Sequence, residues 1–274
     1  MRKAALLTDR AVIALAGADA ENFLQGLITN DMEGTHDGRA LYAALLTPQG
    51  KILFDFLIVK DGARYLLDCA AARAGELAKR LGFYRLRAKV EITPQPDLSV
   101  ACIWGDTGTT TAGVAFTDPR LPALGQRTIA PRGELSATNA TLADYHLHRI
   151  SLGVPDSADL PPDTMFALDA GFEELNGVSF TKGCYVGQEV TARMKHRATA
   201  RRRMLIVEGD GPLPAPGTPL IAQSADIGSL ATAQGARGLA LVRLDRLADA
   251  ETARVPVTAA NVNVTLRRPD WLRM

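Results

Sequence analysis

Residues Lys182 to Glu189, Lys-Gly-Cys-Tyr-Val-Gly-Gln-Glu, place one cysteine between glycines, directly ahead of a breaker-free run, Gln188 to Met194. That run reads as the start of a helix. Cys184 would then sit just before a first turn whose N–H groups lack partners and favour negative charge. Lys182 and Arg193 add positive charge nearby, and each influence favours thiolate over thiol. A thiolate is both a nucleophile and a soft metal ligand, so Cys184 is the candidate for attacking an electrophile or for ligating iron. Gly183 and Gly187 would let the chain turn tightly and a partner come close. Inert packing is the competing reading of any single cysteine, and the residues alone leave both open.

The other candidates are weaker. Cys69 in YLLDCA and Cys102 in SVACIWG lie in strand-like apolar runs and read as packing. Three cysteines, an odd number with no C-x-x-C, fit a reducing cytosol rather than a disulfide framework or a zinc knuckle, so a cytoplasmic location is expected. His146 and His148 point to different sides of a helix, which argues against a joint metal site. His196 would lie about three helical turns from Cys184. A structural role is the reading for these and for His36.

Charge and hydropathy exclude several classes. Arg2-Lys3 followed by apolar residues resembles a secretory leader, but Asp9 and Arg10 interrupt it. No run reaches membrane-span length, and no membrane partner is expected. A net charge of +1 argues against wholesale binding to nucleic acid. The stretch from Arg193 to Arg203 carries six arginines and lysines but few aromatics that could stack on bases. It reads as a solvated connector that could edge a pocket, and direct nucleic-acid binding is not expected.

The elements that must position Cys184 follow from periodicity and turn residues. A strand at Ala11 to Leu15 precedes a helix from Asp19 to about Thr29, with Phe23, Leu24, Leu27 and Ile28 on one face. Two strands flank a Pro-Gln-Gly turn, and ARYLLDCA adds a third. AARAGELAKRLG reads as a helix ended by Gly82, and YRLRAKVEIT as a half-exposed strand. A second strand-rich unit opens at DLSVACIWG. TLADYHLHRISLGVP then forms a helix ended by Gly153 and Pro155. Beyond Arg203, short runs separated by Gly, Pro and Asp, RGLALVRLDRL among them, read as strands of a small antiparallel barrel or sandwich. The fold class is α+β. Residues 1–200 form two α+β subdomains and residues 201–274 the barrel.

KGCYVGQEVTAR resembles the signature of the YgfZ-type folate-binding proteins, a branch of the glycine-cleavage T-protein (GcvT) superfamily that includes a mitochondrial iron–sulfur assembly relative. GADAENFLQGLITNDM, LLTPQGKILFDFLIV, YRLRAKVEI and RISLGVP resemble further segments of that family in the same order. The resemblance implies the aminomethyltransferase-type fold, its two subdomains and barrel arranged around a central tetrahydrofolate pocket. It implies a role in assembly or repair of [4Fe-4S] clusters, tRNA-modifying radical enzymes included. The family's essential cysteine falls on Cys184, and Lys182, Tyr185, Gln188, Glu189 and Arg193 match its neighbours. Tyr145 falls where relatives carry a folate-contacting aromatic ring; a helix-core ring is the alternative. The expected partners are a folate and an A-type iron–sulfur carrier or client. Cys184 is expected to work as nucleophile or as ligand of a transient shared cluster, in an accessory factor more than a turnover enzyme.

One departure bears on the alternative, a tetrahydrofolate-dependent aminomethyltransferase. Those enzymes carry paired aspartates after the hairpin glycine. Here the pair is Phe54-Asp55, so one carboxylate is missing and Asp55 is left as a folate contact.

Overall fold

The computed structural model describes residues 1–35, 38–105, 113–135, 138–197 and 201–273. Strand β1 (Lys3–Leu6) and strand β2 (Arg10–Ala16) open the chain in two different sheets. Helix α1 (Ala20–Gln25) follows, then β3 (Ala40–Leu46), β4 (Ile52–Asp61), β5 (Arg64–Ala70), α2 (Ala74–Arg85) and β6 (Glu91–Pro94). The first sheet is antiparallel with strand order β3-β4-β5-β2-β6.

Every residue of β3 is buried, which explains its unbroken apolar sequence, ALYAALL. Leu41, Ala43 and Leu45 join a core with α1 and α2, whereas Tyr42, Ala44 and Leu46 face a second core. Alternate residues of a strand point to opposite faces, so a sheet covered on both sides needs no polar alternation.

Strands β7 (Leu98–Trp104), β8 (Val114–Thr117) and β9 (Gln126–Pro131) build the second sheet, ordered β1-β7-β9-β8. Val100, Cys102, Trp104, Phe116 and Ile129 meet the inner face of the first sheet there. Helix α3 (Leu142–Ser151) closes this core with Tyr145 and Ile150. Thr141 and Asp144 form a capping box at its start, and Gly153, at φ +74°, follows its end. Helix α4 (Gln188–Arg197) leads to the barrel.

The barrel closes in the order β10-β13-β12-β11-β14-β15. Its strands are β10 (Arg202–Gly209), β11 (Pro219–Ala222), β12 (Ala225–Gln234), β13 (Arg237–Arg243), β14 (Val257–Ala259) and β15 (Val262–Arg267). Leu205 and Val207 of β10 point into the barrel core, whereas Met204 and Ile206 join the core beneath the two sheets.

Buried ion pairs tie the sheets together. Asp68 on β5 receives Arg10 of β2 at 2.6 Å and Arg127 of β9 at 2.6 Å. Arg127 continues to Asp118 at 3.0 Å, and Asp118 pairs with Arg120 at 2.8 Å. Such pairs need all partners present, because removing one leaves a charge uncompensated in a low-dielectric interior.

Several elements differ from the sequence expectation. α1 stops at Gln25, because Thr29 is held instead by the first sheet: its hydroxyl accepts the Ala44 N–H at 2.9 Å and donates to the Gly177 carbonyl at 2.6 Å. α2 runs through Gly82 to Arg85, since its buried Leu77 and Leu81 outweigh a helix-interior glycine's cost of about 1 kcal/mol. The following strand shrinks to Glu91–Pro94. Strand β1 pairs with β7 far along the chain, a partner local patterning does not reveal. LDRLADAET is helix α5 (Leu244–Thr252), packed on the barrel core through Leu247 and Ala250, not a strand.

Candidate functional site

Cys184 is exposed, whereas Cys69 and Cys102 are buried. The two buried thiols sit beside the carbonyls of Ala11 and Leu124, and burial pushes each up to about 12. They pack, and Cys184 is left as the accessible sulfur.

Three fastenings hold the loop that carries it. The Lys182 amino group donates to the carbonyls of Gln25 at 2.7 Å, Ile28 at 2.8 Å and Asn30 at 2.7 Å. An ammonium has three donors, so all three are consumed by the last residue of α1 and the chain that follows it. Burial brings this group down to about 8. Next, the Tyr185 ring is buried in the core between the sheets, 5.2 Å from the Lys182 nitrogen, and burial pushes its phenol up to about 12. Last, Gly187 at φ +81° lies against the turn between β3 and β4. A Cβ there would come within 2.5 Å of the Thr47 carbonyl oxygen. A Cβ on Gly183 would meet nothing within 4 Å, so the approach to Cys184 from that side is open.

The geometry places the other expected site residues as follows. Lys182 has no donor left for a ligand, and its charge serves carbonyls rather than the thiol. Tyr185 anchors the loop in the core. Gln188 turns back on its own loop, its side-chain oxygen accepting the Tyr185 N–H at 3.3 Å. Glu189 and Arg193 pair with each other at 2.5 Å on the solvated side of α4, one helical turn apart. Tyr145 is 0% exposed; its hydroxyl accepts from Arg127 at 2.8 Å and Arg120 at 3.3 Å, and Trp104 packs edge-on at 5.8 Å. That ring is part of the core and has no free face on which a pterin could stack. Asp55 is buried as well and accepts from the Tyr42 hydroxyl at 3.2 Å; burial raises its carboxyl above the ordinary range. The expected folate contacts therefore do not converge on one pocket.

A different set of residues does form one. A cleft of about 950 Å³ opens between the chain after α1 and residues 173–181, lined by Asn30, Asp31, Arg39, Asp118, Glu173 and Asn176 among others. Its volume suits a small-molecule ligand. Asn30 braces the wall, donating to the carbonyls of Tyr42 at 2.8 Å and Asn176 at 2.7 Å. Ser179, Phe180 and Thr181 also line it, directly upstream of the cysteine loop. Lys195 of α4 pairs with Glu173 and sits 5.6 Å over the Phe180 ring, so the helix after Cys184 touches the cleft too. Nothing in the local sequence marked Asn30 or Asn176, since their roles depend on segments far apart in the chain. Among the described residues no group of three His, Cys, Asp or Glu side chains is placed to hold a metal ion.

Comparison with known proteins agrees with this architecture. Residues 201–274 match the model of the CAF17 C-terminal beta-barrel domain. The aminomethyltransferase T of the glycine cleavage system from Bartonella henselae superposes with a TM-score of 0.75, covering 99% of this chain and 86% of that one. At 14% identity this shows the fold alone, the GcvT-type arrangement of α+β subdomains and antiparallel barrel. The mitochondrial iron–sulfur cluster assembly factor IBA57 of Mus musculus is 35% identical, covering 97% of this chain and 84% of the relative. Its Homo sapiens counterpart is 33% identical with the same coverage. A mitochondrial homologue from Neurospora crassa is 33% identical over 77% of this chain. These relatives overturn the cytoplasmic expectation, because they are mitochondrial proteins. Unpaired cysteines report a reducing compartment without saying which one. At this identity and coverage, the chain belongs to the IBA57 family of iron–sulfur cluster assembly factors.

Proposed function

We propose that this protein assists the maturation of [4Fe-4S] enzymes, tRNA-modifying radical enzymes among them, and that Cys184 is its working group. The sulfur serves as one ligand of a cluster shared transiently with an A-type carrier, in the mitochondrial setting of its relatives. The observation that carries this reading is the contrast between an exposed Cys184 and the rigid mounting of its loop by Lys182, Tyr185 and Gly187. A ligand offered to a partner must be reachable yet held in one geometry. With a single sulfur on this side, the remaining ligands come from the carrier.

The test is anaerobic reconstitution with iron and sulfide, with and without an A-type carrier, followed by absorption spectra. The wild-type mixture should develop thiolate-to-iron bands, and a Cys184→Ser mixture should lose the share contributed by this protein. Full activation of a client [4Fe-4S] enzyme by Cys184→Ser would remove Cys184 from the mechanism.

A tetrahydrofolate-type ligand belongs, in the same proposal, to the cleft rather than to the residues near Cys184. Its volume and mixed polar lining support this, with Arg39 as the cation for a carboxylate tail. Anaerobic calorimetry with tetrahydrofolate should show binding that Arg39→Ala weakens. Absence of any heat would strike folate from the proposal and leave the role of Cys184 standing. Asp55 is buried and bonded to Tyr42, which speaks against the aminomethyltransferase alternative.

A further inference from the structure

Three arginines from separate elements surround one concavity on the barrel, away from the cysteine loop and the cleft. Arg202 of β10 and Arg243 of β13 are direct partners across their antiparallel pair, so their side chains share a face. Arg246 joins them from the first turn of α5, and the concavity of about 270 Å³ is completed by Asp226, Gly228, Ser229 and Leu241.

Like charges placed directly opposite destabilise a strand pair. The nearby carboxylates offset this only in part. Asp245 takes the Nε and Nη2 of Arg243 at 3.2 and 2.6 Å, leaving its Nη1 free. Asp226 spends one oxygen on the Gly228 N–H at 2.9 Å, and its carbonyl accepts from Arg246. Arg202 has no ion pair among the described residues. Three guanidiniums thus share this face with Asp226 and Asp245, and Arg202 also lies within electrostatic reach of the buried Asp169.

We propose that this concavity binds a phosphoryl group. Arg202 supplies its whole fork, Arg243 and Arg246 supply their free N–H groups, and Ser229 offers its hydroxyl. Donors converging from three elements match an oxyanion with three terminal oxygens better than a planar carboxylate. The site is independent of the role proposed for Cys184.

The test is calorimetric titration of the full chain at fixed ionic strength with inorganic phosphate, AMP and citrate. Wild type should bind phosphate saturably, with a Kd of about 1 mM or tighter. Arg202→Gln and Arg246→Gln should each weaken it about tenfold while circular dichroism stays unchanged. Arg202→Lys keeps the charge without the fork, and an intermediate loss supports recognition by the fork; it carries the comparison if a glutamine variant unfolds. AMP binding more tightly than phosphate supports the site with a nucleotide as the source of the group, and rejection of AMP supports it with free phosphate as the source. No saturation, or equal binding by wild type and the glutamine variants, overturns the proposal. Citrate binding as tightly as phosphate overturns the phosphoryl assignment.

Discussion

Gly50 and Gly187 pack backbone to backbone: a Cβ on Gly187 would fall 3.1 Å from the Gly50 Cα, and one on Gly50 would fall 3.3 Å from the Gly187 carbonyl oxygen. Both residues have φ +81°. The β3–β4 turn and the cysteine loop therefore interlock through two glycines that lie far apart in sequence. Gly187→Ala should cost about 1–3 kcal/mol through strain and overlap with Thr47. Gly183→Ala, with open space above it, should leave stability unchanged while hindering a partner at Cys184. Thermal denaturation beside carrier-dependent client activation separates the two effects.

Lys182 should prove irreplaceable by arginine. Lys182→Met strands three carbonyls, a loss of roughly 2–4 kcal/mol. A planar guanidinium cannot aim its donors at three carbonyls arranged around a point, so Lys182→Arg should restore little of it. Urea titrations give the energies. Hydrogen exchange over residues 179–187 should rise in both variants, and protection equal to wild type in Lys182→Met would refute the clamp.

The three thiols should separate by alkylation. In the native protein at pH 7.5, iodoacetamide should label Cys184, whereas Cys69 and Cys102 react only after unfolding, since burial holds them largely protonated. Mass spectrometry of digested, labelled protein checks this, and native labelling of Cys102 would contradict the packing described.

Asp55 should make stability fall as pH rises. Arg10, Arg120, Arg127 and Arg149 share a buried zone with five carboxyls, those of Asp55, Asp68, Asp118, Asp156 and Asp159. A proton on Asp55 brings that zone to neutrality, in line with the upward shift caused by its burial. A raised carboxyl binds its proton more tightly in the folded state. Its stabilising effect is complete below the unfolded value near 4 and is lost as pH rises through the folded value. Asp55→Asn should flatten that part of the profile and cost little. Asp68→Asn, which strips a partner from both Arg10 and Arg127, should cost about 3–5 kcal/mol. Chemical denaturation across pH 4–8 tests both.

The sequence by itself determined the α+β class and the strand-rich C-terminal unit, and it singled out Cys184, which the structure leaves exposed. Those signals are local: apolar alternation, turn residues between short strands, and glycines around Cys184 ahead of a breaker-free helix. Tertiary structure alone decided what the neighbours of Cys184 do. Lys182 looked like a charge for a thiolate or a ligand, yet its donors are taken by carbonyls at and after the end of α1, and Tyr145 looked available yet is locked by Arg120 and Arg127. The physical reason is that a side chain's role depends on which groups reach it in space. Strand β1 pairing with β7, and Asn30 meeting Asn176 across the cleft, are contacts whose partners only the folded chain brings within bonding distance.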